Sequence, residues 1–413
     1  MPEPVTMPES ASPRAIVFDV VLALAVGGCA YAVSCLLVAP ASMAAGFGIQ
    51  WQMMSERPFD LVGQFPHRWL SPLLAWSFSM GGADYVAFTR GYSVLLLAVV
   101  FWFCRRRGAP VVDAAAITGA IAVISPIQMY KEAWVGYPDP LCYALFLLTM
   151  LAARRPVLFW TLFFVNLHNH ELAVFLVPWL WFVRREADER WRLDAVLAAA
   201  AVTAYGAFYL VVRAKAQALF TVDYFVSHPL FPGGSVVVWN LALVHLVVAF
   251  GPVLAVLAWH VHTRAHGRER WHFALVALAV FVVFCIAYDW ARHTHLLLIP
   301  LVLAMLRFLA AGHRLAFFAL VVVGVVGMVL LPPWAAKSWP THAVLDPAME
   351  SGVVIVKFTE GDLNVTFGPL QAALQGWMPK ALPTLLPILA ILAAIWLAGW
   401  WLARRRSGGT TSP

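Results

Sequence analysis

Charge is what this chain has least of. Asp, Glu, Lys and Arg make up 12% of its 413 residues, against about 25% in an ordinary globular domain. A water-soluble chain so poor in charge could not cover its own surface. Cysteine is also scarce. The five present, Cys29, Cys35, Cys104, Cys142 and Cys285, all lie in apolar runs. None belongs to a CxxC pair or a Cys/His cluster, so they read as small buried apolar residues. No repeat with a period of roughly 20–50 residues recurs, which excludes a solenoid. Two equivalent halves with matching broken helices, the usual pointer to a transporter, are missing as well. The N-terminus lacks the basic region of a cleavable signal peptide: Glu3, Glu9 and the single base Arg14 precede the first apolar run. That run is long enough to remain as an anchor.

Apolar residues are what is abundant. They form 62% of the chain, with 19 Trp and 27 Phe, and the mean hydropathy is +0.79. A membrane-spanning helix needs roughly 20 mostly apolar residues. About twelve candidates can be read, at 17–38, 91–104, 112–128, 138–153, 157–168, 171–183, 194–212, 236–260, 272–288, 294–310, 315–333 and 383–403. The expected fold is therefore an all-α polytopic membrane protein. Its expected parts are a cytoplasmic segment 1–16, a transmembrane domain 17–403 and a cytoplasmic tail 404–413. The pair 157–168 and 171–183 is short, and reads as a hairpin or as one interrupted helix. The stretch 69–89 could add a shallow or re-entrant segment.

Basic residues orient these spans. With both termini inside, eighteen of the 28 Lys and Arg fall on inner segments, including Arg105, Arg106, Arg107, Arg184, Arg185 and Arg404. The excess fits the positive-inside rule, so the charge of +7 reads as topology and not as a nucleic-acid partner. Twelve of the 21 acids then lie outside, with the long loops 39–90, 213–235 and 334–382. Loops carry most binding and catalytic groups, which points any active site to the outer face.

Four polar stretches stand out there, and a fifth has strand character. The first outer loop carries Glu56, Arg57 and Asp60, then Pro66-His67-Arg68-Trp69-Leu70-Ser71-Pro72. Arg suits bidentate phosphate binding, and a carboxylate beside it could act as a base on a hydroxyl. A solvated interfacial loop with a structural Arg–Asp pair explains the same residues. In the turn from Tyr130 to Pro140, capping alone would account for Asp139. Asn166-Leu167-His168-Asn169-His170-Glu171 places five polar side chains between two short apolar helices, where they could bind substrate, glue a helical hairpin, or hold a divalent metal. The spacing is not that of HExxH. Asp289 and Arg292 are three apart and could pair on a helix, or Arg292 with His293 or His295 could hold a phosphate. Residues 353–362 read as a short strand running into a turn, and Asn364-Val365-Thr366 fits a sequon.

The first loop and the pattern around it resemble the GT-C class of membrane glycosyltransferases. The resemblance spans the chain as architecture. At residue level it rests on Pro66 to Pro72 and, more weakly, on Asn166 to Glu171 and Asp289 to Arg292. It implies a polyprenyl-phosphate-linked sugar as donor, transfer on the outer side, and an acid of the first outer loop as base; the expected location, apart from the resemblance, is a prokaryotic inner membrane. Here that acid is Asp60 or Glu56. Arg68 and Arg292 would hold donor phosphate, His67, Asp289 and His293 would line the same substrate site, and His168, His170 and Glu171 would shape the pocket. The chain departs from the class pattern in having no paired acids directly after the first span. Two rival functions follow from the residues: a transporter or flippase of a lipid-linked or anionic substrate, and a non-catalytic membrane scaffold. The few polar residues inside spans, His245 being the clearest, count against the first rival.

Overall fold

Apolar runs without strand alternation form helices here. A computed structural model describes residues 13–44, 48–61, 65–124, 127–132, 134–187, 191–216, 246–247, 250–264, 269–286, 294–330, 354–359, 362–367 and 389–404. Its helices are α1 Pro13–Leu37, α2 Gly48–Glu56, α3 Leu70–Ser77, α4 Tyr85–Arg106, α5 Val111–Ile124, α6 Ile127–Glu132, α7 Asp139–Leu151, α8 Pro156–Leu167, α9 Val177–Ala187 and α10 Trp191–Lys215. They continue with α11 Leu254–Arg264, α12 Glu269–Ile286, α13 Leu298–Ala310 and α14 Arg314–Leu330, then α15 Leu389–Arg404. The strands among the described residues form a single hairpin. β1 Val354–Thr359 pairs antiparallel with β2 Asp362–Phe367, in register from Val354–Phe367 to Thr359–Asp362, where the sequence shows a strand and turn.

Among the described residues, three helices are long and apolar enough to cross a bilayer: Ile16–Leu37, Gly82–Arg106 and Trp191–Lys215. Others, such as Asp139–Leu151 and Pro156–Leu167, are apolar but shorter. At 1.5 Å per residue these fall short of about 30 Å of hydrocarbon. Large apolar side chains are left exposed along α1, where Val17, Phe18, Val21 and Leu36 stand out, and along α10 at Val196, Leu210 and Val211. Water penalises such ribs and lipid does not. The helices are thus those of a chain compatible with a membrane.

The chain divides into two units. The first comprises Met1–Leu61, Pro66–Lys215 and Val302–Arg314. Its centre is α7, on which every residue from Asp139 to Leu147 is buried, as expected of a helix apolar all round. Leu141 and Leu145 of α7 form a cluster with Tyr92 of α4. α1 crosses α4 at Gly27, where an added Cβ would stand 2.6 Å from the Ala98 nitrogen and 3.0 Å from the Val94 oxygen. A side chain there would force the two backbones apart, the same constraint that places small residues at membrane helix crossings. Gly28, one residue on, meets nothing within 4 Å. Gly27→Val is expected to cost about 1–3 kcal/mol through overpacking, read as a fall in the thermal midpoint in detergent. Gly28→Val is expected to leave the midpoint close to wild type.

Two polar clamps close this unit. Lys131, buried at the end of α6, donates to the carbonyls of Ser34 at 2.6 Å and Val38 at 3.0 Å. It so caps the last turn of α1 and neutralises its dipole. At the far ends of α8, α9 and α10, Arg184 Nε donates to Asp194 at 2.8 Å. Trp160 donates to the same carboxylate oxygen at 2.8 Å. The sequence marks Arg184 as an inner-face loop charge, yet its side chain is fully buried.

The second unit comprises Val62–Phe65, Ala216–Leu301 and Leu315–Pro413. In it α15 docks on α11 at Gly399, where an added Cβ would lie 2.6 Å from the Ala258 Cβ and 2.8 Å from the Trp259 nitrogen. His262 of α11 meets Trp396 of α15 edge-on at 5.2 Å.

Candidate functional site

Three connecting segments of the first unit meet at one place. α8 stops after Leu167 and the chain turns through His168, Asn169 and His170 before a 3-10 turn over Glu171–Leu176 leads into α9. Two buried amides tie this turn to α7. Asn166 donates to the Cys142 carbonyl at 3.2 Å, and Asn169 to the Pro138 carbonyl at 3.0 Å. The first loop docks on the same turn through the Leu70 amide, which donates to the His168 carbonyl at 3.0 Å. Trp69 fixes that loop from behind by donating to the Pro58 carbonyl at 2.8 Å. The third segment, Trp134 to Pro138, approaches α2 closely at two glycines. Gly136, at φ +86°, sits so near Gly48 that a Cβ would fall 3.2 Å from the Gly48 Cα. This contact places Trp51 edge-on to Tyr137 at 4.9 Å.

The charged groups on these segments converge. Arg68 grips Glu171 with a fork, Nε to Oε2 at 2.7 Å and Nη2 to Oε1 at 2.5 Å. His67 Nε2 lies 3.3 Å from Glu171 Oε2 and His170 Nδ1 lies 3.6 Å from it. On its other side His170 Nε2 faces Asp139 at 3.8 Å. The Arg68 guanidinium also lies 5.7 Å from the ring centroid of Trp51. His67, Arg68, Asp139 and His170 are buried, whereas the Glu171 side chain keeps about 31% of its surface exposed. Burial opposes ionisation of Glu171, but the adjacent Arg68 guanidinium outweighs it and holds the carboxyl well below the usual range.

Aromatic rings flank the cluster. Tyr205, Phe208 and Tyr209 are spaced i, i+3, i+4 on α10 and so share a face. Tyr209 meets His67 at 5.0 Å, Phe208 meets His168 at 4.8 Å, and Tyr205 meets His168 at 5.2 Å. The spacing of these three is visible in the sequence, but within a span it is indistinguishable from core packing. Asp139 is the first residue of α7, one past the cap position held by Pro138. Its buried carboxylate faces His170, so capping alone does not account for it.

The structure thus brings together His67, Arg68, His168, His170 and Glu171. Glu56 and Asp60 are exposed. Glu56 Oε1 stands 2.8 Å from where a Gly82 Cβ would be. Neither acid makes a side-chain ion pair or hydrogen bond with a described residue. Asp289, Arg292 and His293 lie outside the described residues. Among the described residues no three His, Cys, Asp or Glu side chains are set to hold a metal ion; Glu171 is engaged by Arg68, and His168 turns Nδ1 to the Phe164 carbonyl. No family model, curated protein or solved structure matches this chain.

Proposed function

We propose that the protein is a polytopic inner-membrane glycosyltransferase of the GT-C type, with about twelve spans, both termini inside and its site on the outer side. It moves a sugar from a polyprenyl-phosphate-linked donor to an acceptor. The observation that carries this reading is the convergence of His67 and Arg68, from the first loop, with His168, His170 and Glu171 from a turn about 100 positions later. A buried guanidinium and two buried imidazoles stand beside a partly exposed carboxylate, with Tyr205, Phe208 and Tyr209 alongside, as a polar cluster among apolar helices. Such a cluster can take a charged headgroup while the bilayer keeps the isoprenoid chain. The Arg68 guanidinium supplies positive charge for the donor phosphate, with His67 beside it as a further hydrogen-bonding group. Glu56 and Asp60 remain exposed acids of the loop the class uses. The reading rests on the cluster and not on either acid.

The test is sugar transfer by the purified protein in proteoliposomes, with polyprenyl-phosphate-linked hexoses as donors and a membrane-lipid extract as acceptor. Transfer that wild type supports and Arg68→Ala abolishes is the expected result. Movement of the lipid-linked donor across the bilayer without transfer would favour a flippase. Neither activity would leave a scaffold.

A further inference from the structure

The three histidines at the cluster differ in what their ring nitrogens do. His67 presents Nε2 to Glu171. His170 accepts the Leu172 amide at Nδ1, 3.3 Å away. Its neutral ring therefore carries the proton on Nε2, toward Asp139. Both rings are buried. His168 is half-buried, and its Nδ1 lies 2.9 Å from the Phe164 carbonyl oxygen. A carbonyl can only accept, so Nδ1 holds the ring proton and Nε2 is left as a bare lone pair. The ring is held by Phe164 at 4.7 Å, Phe208 at 4.8 Å and Tyr205 at 5.2 Å. Its own carbonyl is bonded to Leu70, two residues from Arg68.

We propose that His168 is the general base of the transfer, with Nε2 accepting the proton of the acceptor hydroxyl. The hydroxyl oxygen forms its bond to the anomeric carbon as the bond from that carbon to the donor phosphate oxygen breaks. Polyprenyl phosphate leaves with the electron pair, and the imidazolium then releases its proton to water. This role rests on the glycosyltransferase reading. Glu171 is ill suited to it, because the ion pair with Arg68 stabilises its ionised form and weakens it as a base. Burial lowers the pKa of His168 from 6.5, against the opposing bond to Phe164, and so keeps the ring neutral near pH 7. Among the described residues, the titratable and charged groups around it are Tyr205 on α10, within electrostatic reach of Glu171 and Arg68, His170 and Glu171 in its own turn, and His67 and Arg68 on the loop bonded to it through Leu70.

His168→Asn isolates the role. The Asn amide can still donate to the Phe164 carbonyl but places nothing at Nε2. With polyprenyl-phosphate-linked hexoses as donors, kcat is expected to fall about 100-fold or more, with KM for the donor little changed. The wild-type pH profile should show an acid limb with a midpoint below 6.5, because the base works only when neutral. The residual activity of the variant should lack that limb. Wild-type kcat, or an unchanged acid limb, in H168N would overturn the role. Where H168N fails to accumulate, carbethoxylation of the intact protein decides. Activity lost in step with modification of His168, and regained with hydroxylamine, supports the base. Full activity with His168 modified overturns it. Absence of transfer by wild type overturns the glycosyltransferase reading itself, an outcome separate from a loss confined to the variant.

Discussion

Arg68→Ala is expected to abolish sugar transfer and to weaken the fold in the same protein. Its guanidinium is buried and meets Glu171 through two bonds. Removing it leaves a carboxylate between two imidazoles with its strongest counter-charge gone. Breaking a fully buried pair costs about 3–5 kcal/mol, and the cost here is lower because Glu171 is partly exposed. Arg68→Lys should recover part of the stability and little transfer, since an ammonium cannot reproduce the planar fork. The decisive comparison is the double variant Arg68→Ala with Glu171→Ala. It should regain thermal stability relative to either single variant, because no unpaired charge remains. Transfer should stay absent. A double variant that transfers sugar would show the pair to be a structural clamp and place the chemistry elsewhere.

Glu171 also sets a pH dependence. Its folded pKa is depressed by Arg68, against the effect of burial. A depressed carboxyl stabilises the fold fully above its unfolded pKa of about 4.3, and the contribution fades as pH falls through the folded value. Thermal midpoints of wild type should therefore drop from about pH 5 downward. Those of Glu171→Gln should start lower and fall less steeply.

The helical architecture could be read from the sequence because apolar length and the scarcity of charge are local properties. The stretch 157–183 reads as two short helices, and the structure has α8 and α9 on either side of the polar turn. The strand at 353–362 was likewise marked by its Val-Ile-Val run. Positions were less legible wherever a side chain's role depends on a partner distant in sequence. Asp139 stands in a good capping context between two prolines, yet it faces His170, 31 positions away. Arg68 has the character of a free phosphate ligand until Glu171, 103 positions on, engages it. Glu56 and Asp60 share the first loop with Arg68, but adjacency in a loop did not give them contacts with the cluster. His168 could be singled out as polar, while the tautomer that frees Nε2 depends on the carbonyl of Phe164 one helical turn earlier.

The other large effect is expected at Asp194, at the opposite end of the same helices. Orientation by positive charge treats Arg184 and Arg185 alike, but the structure separates them. Arg185 is exposed. Arg184 is fully buried with Asp194, bonded also to the Ala153 carbonyl and set 6.0 Å from the ring centroid of Phe159. The second oxygen of Asp194 has no hydrogen-bond partner among the described residues, so the carboxylate is held through its other oxygen alone, by Arg184 and Trp160. Asp194→Ala should destabilise by about 3–5 kcal/mol, since the guanidinium stays buried without its counter-charge. Asp194→Asn should cost less, because an amide oxygen still accepts from Trp160. Arg185→Ala should cost well under 1 kcal/mol. Replacing Arg184 and Asp194 together by Met and Leu should recover most of the loss, because an apolar pair of similar volume carries no desolvation penalty. If Asp194→Ala melted like wild type in detergent, the clamp would contribute nothing to the joint of α8, α9 and α10. If instead the double replacement stayed as unstable as the single, packing of the carboxylate against Trp160, and not charge, would be what holds that joint.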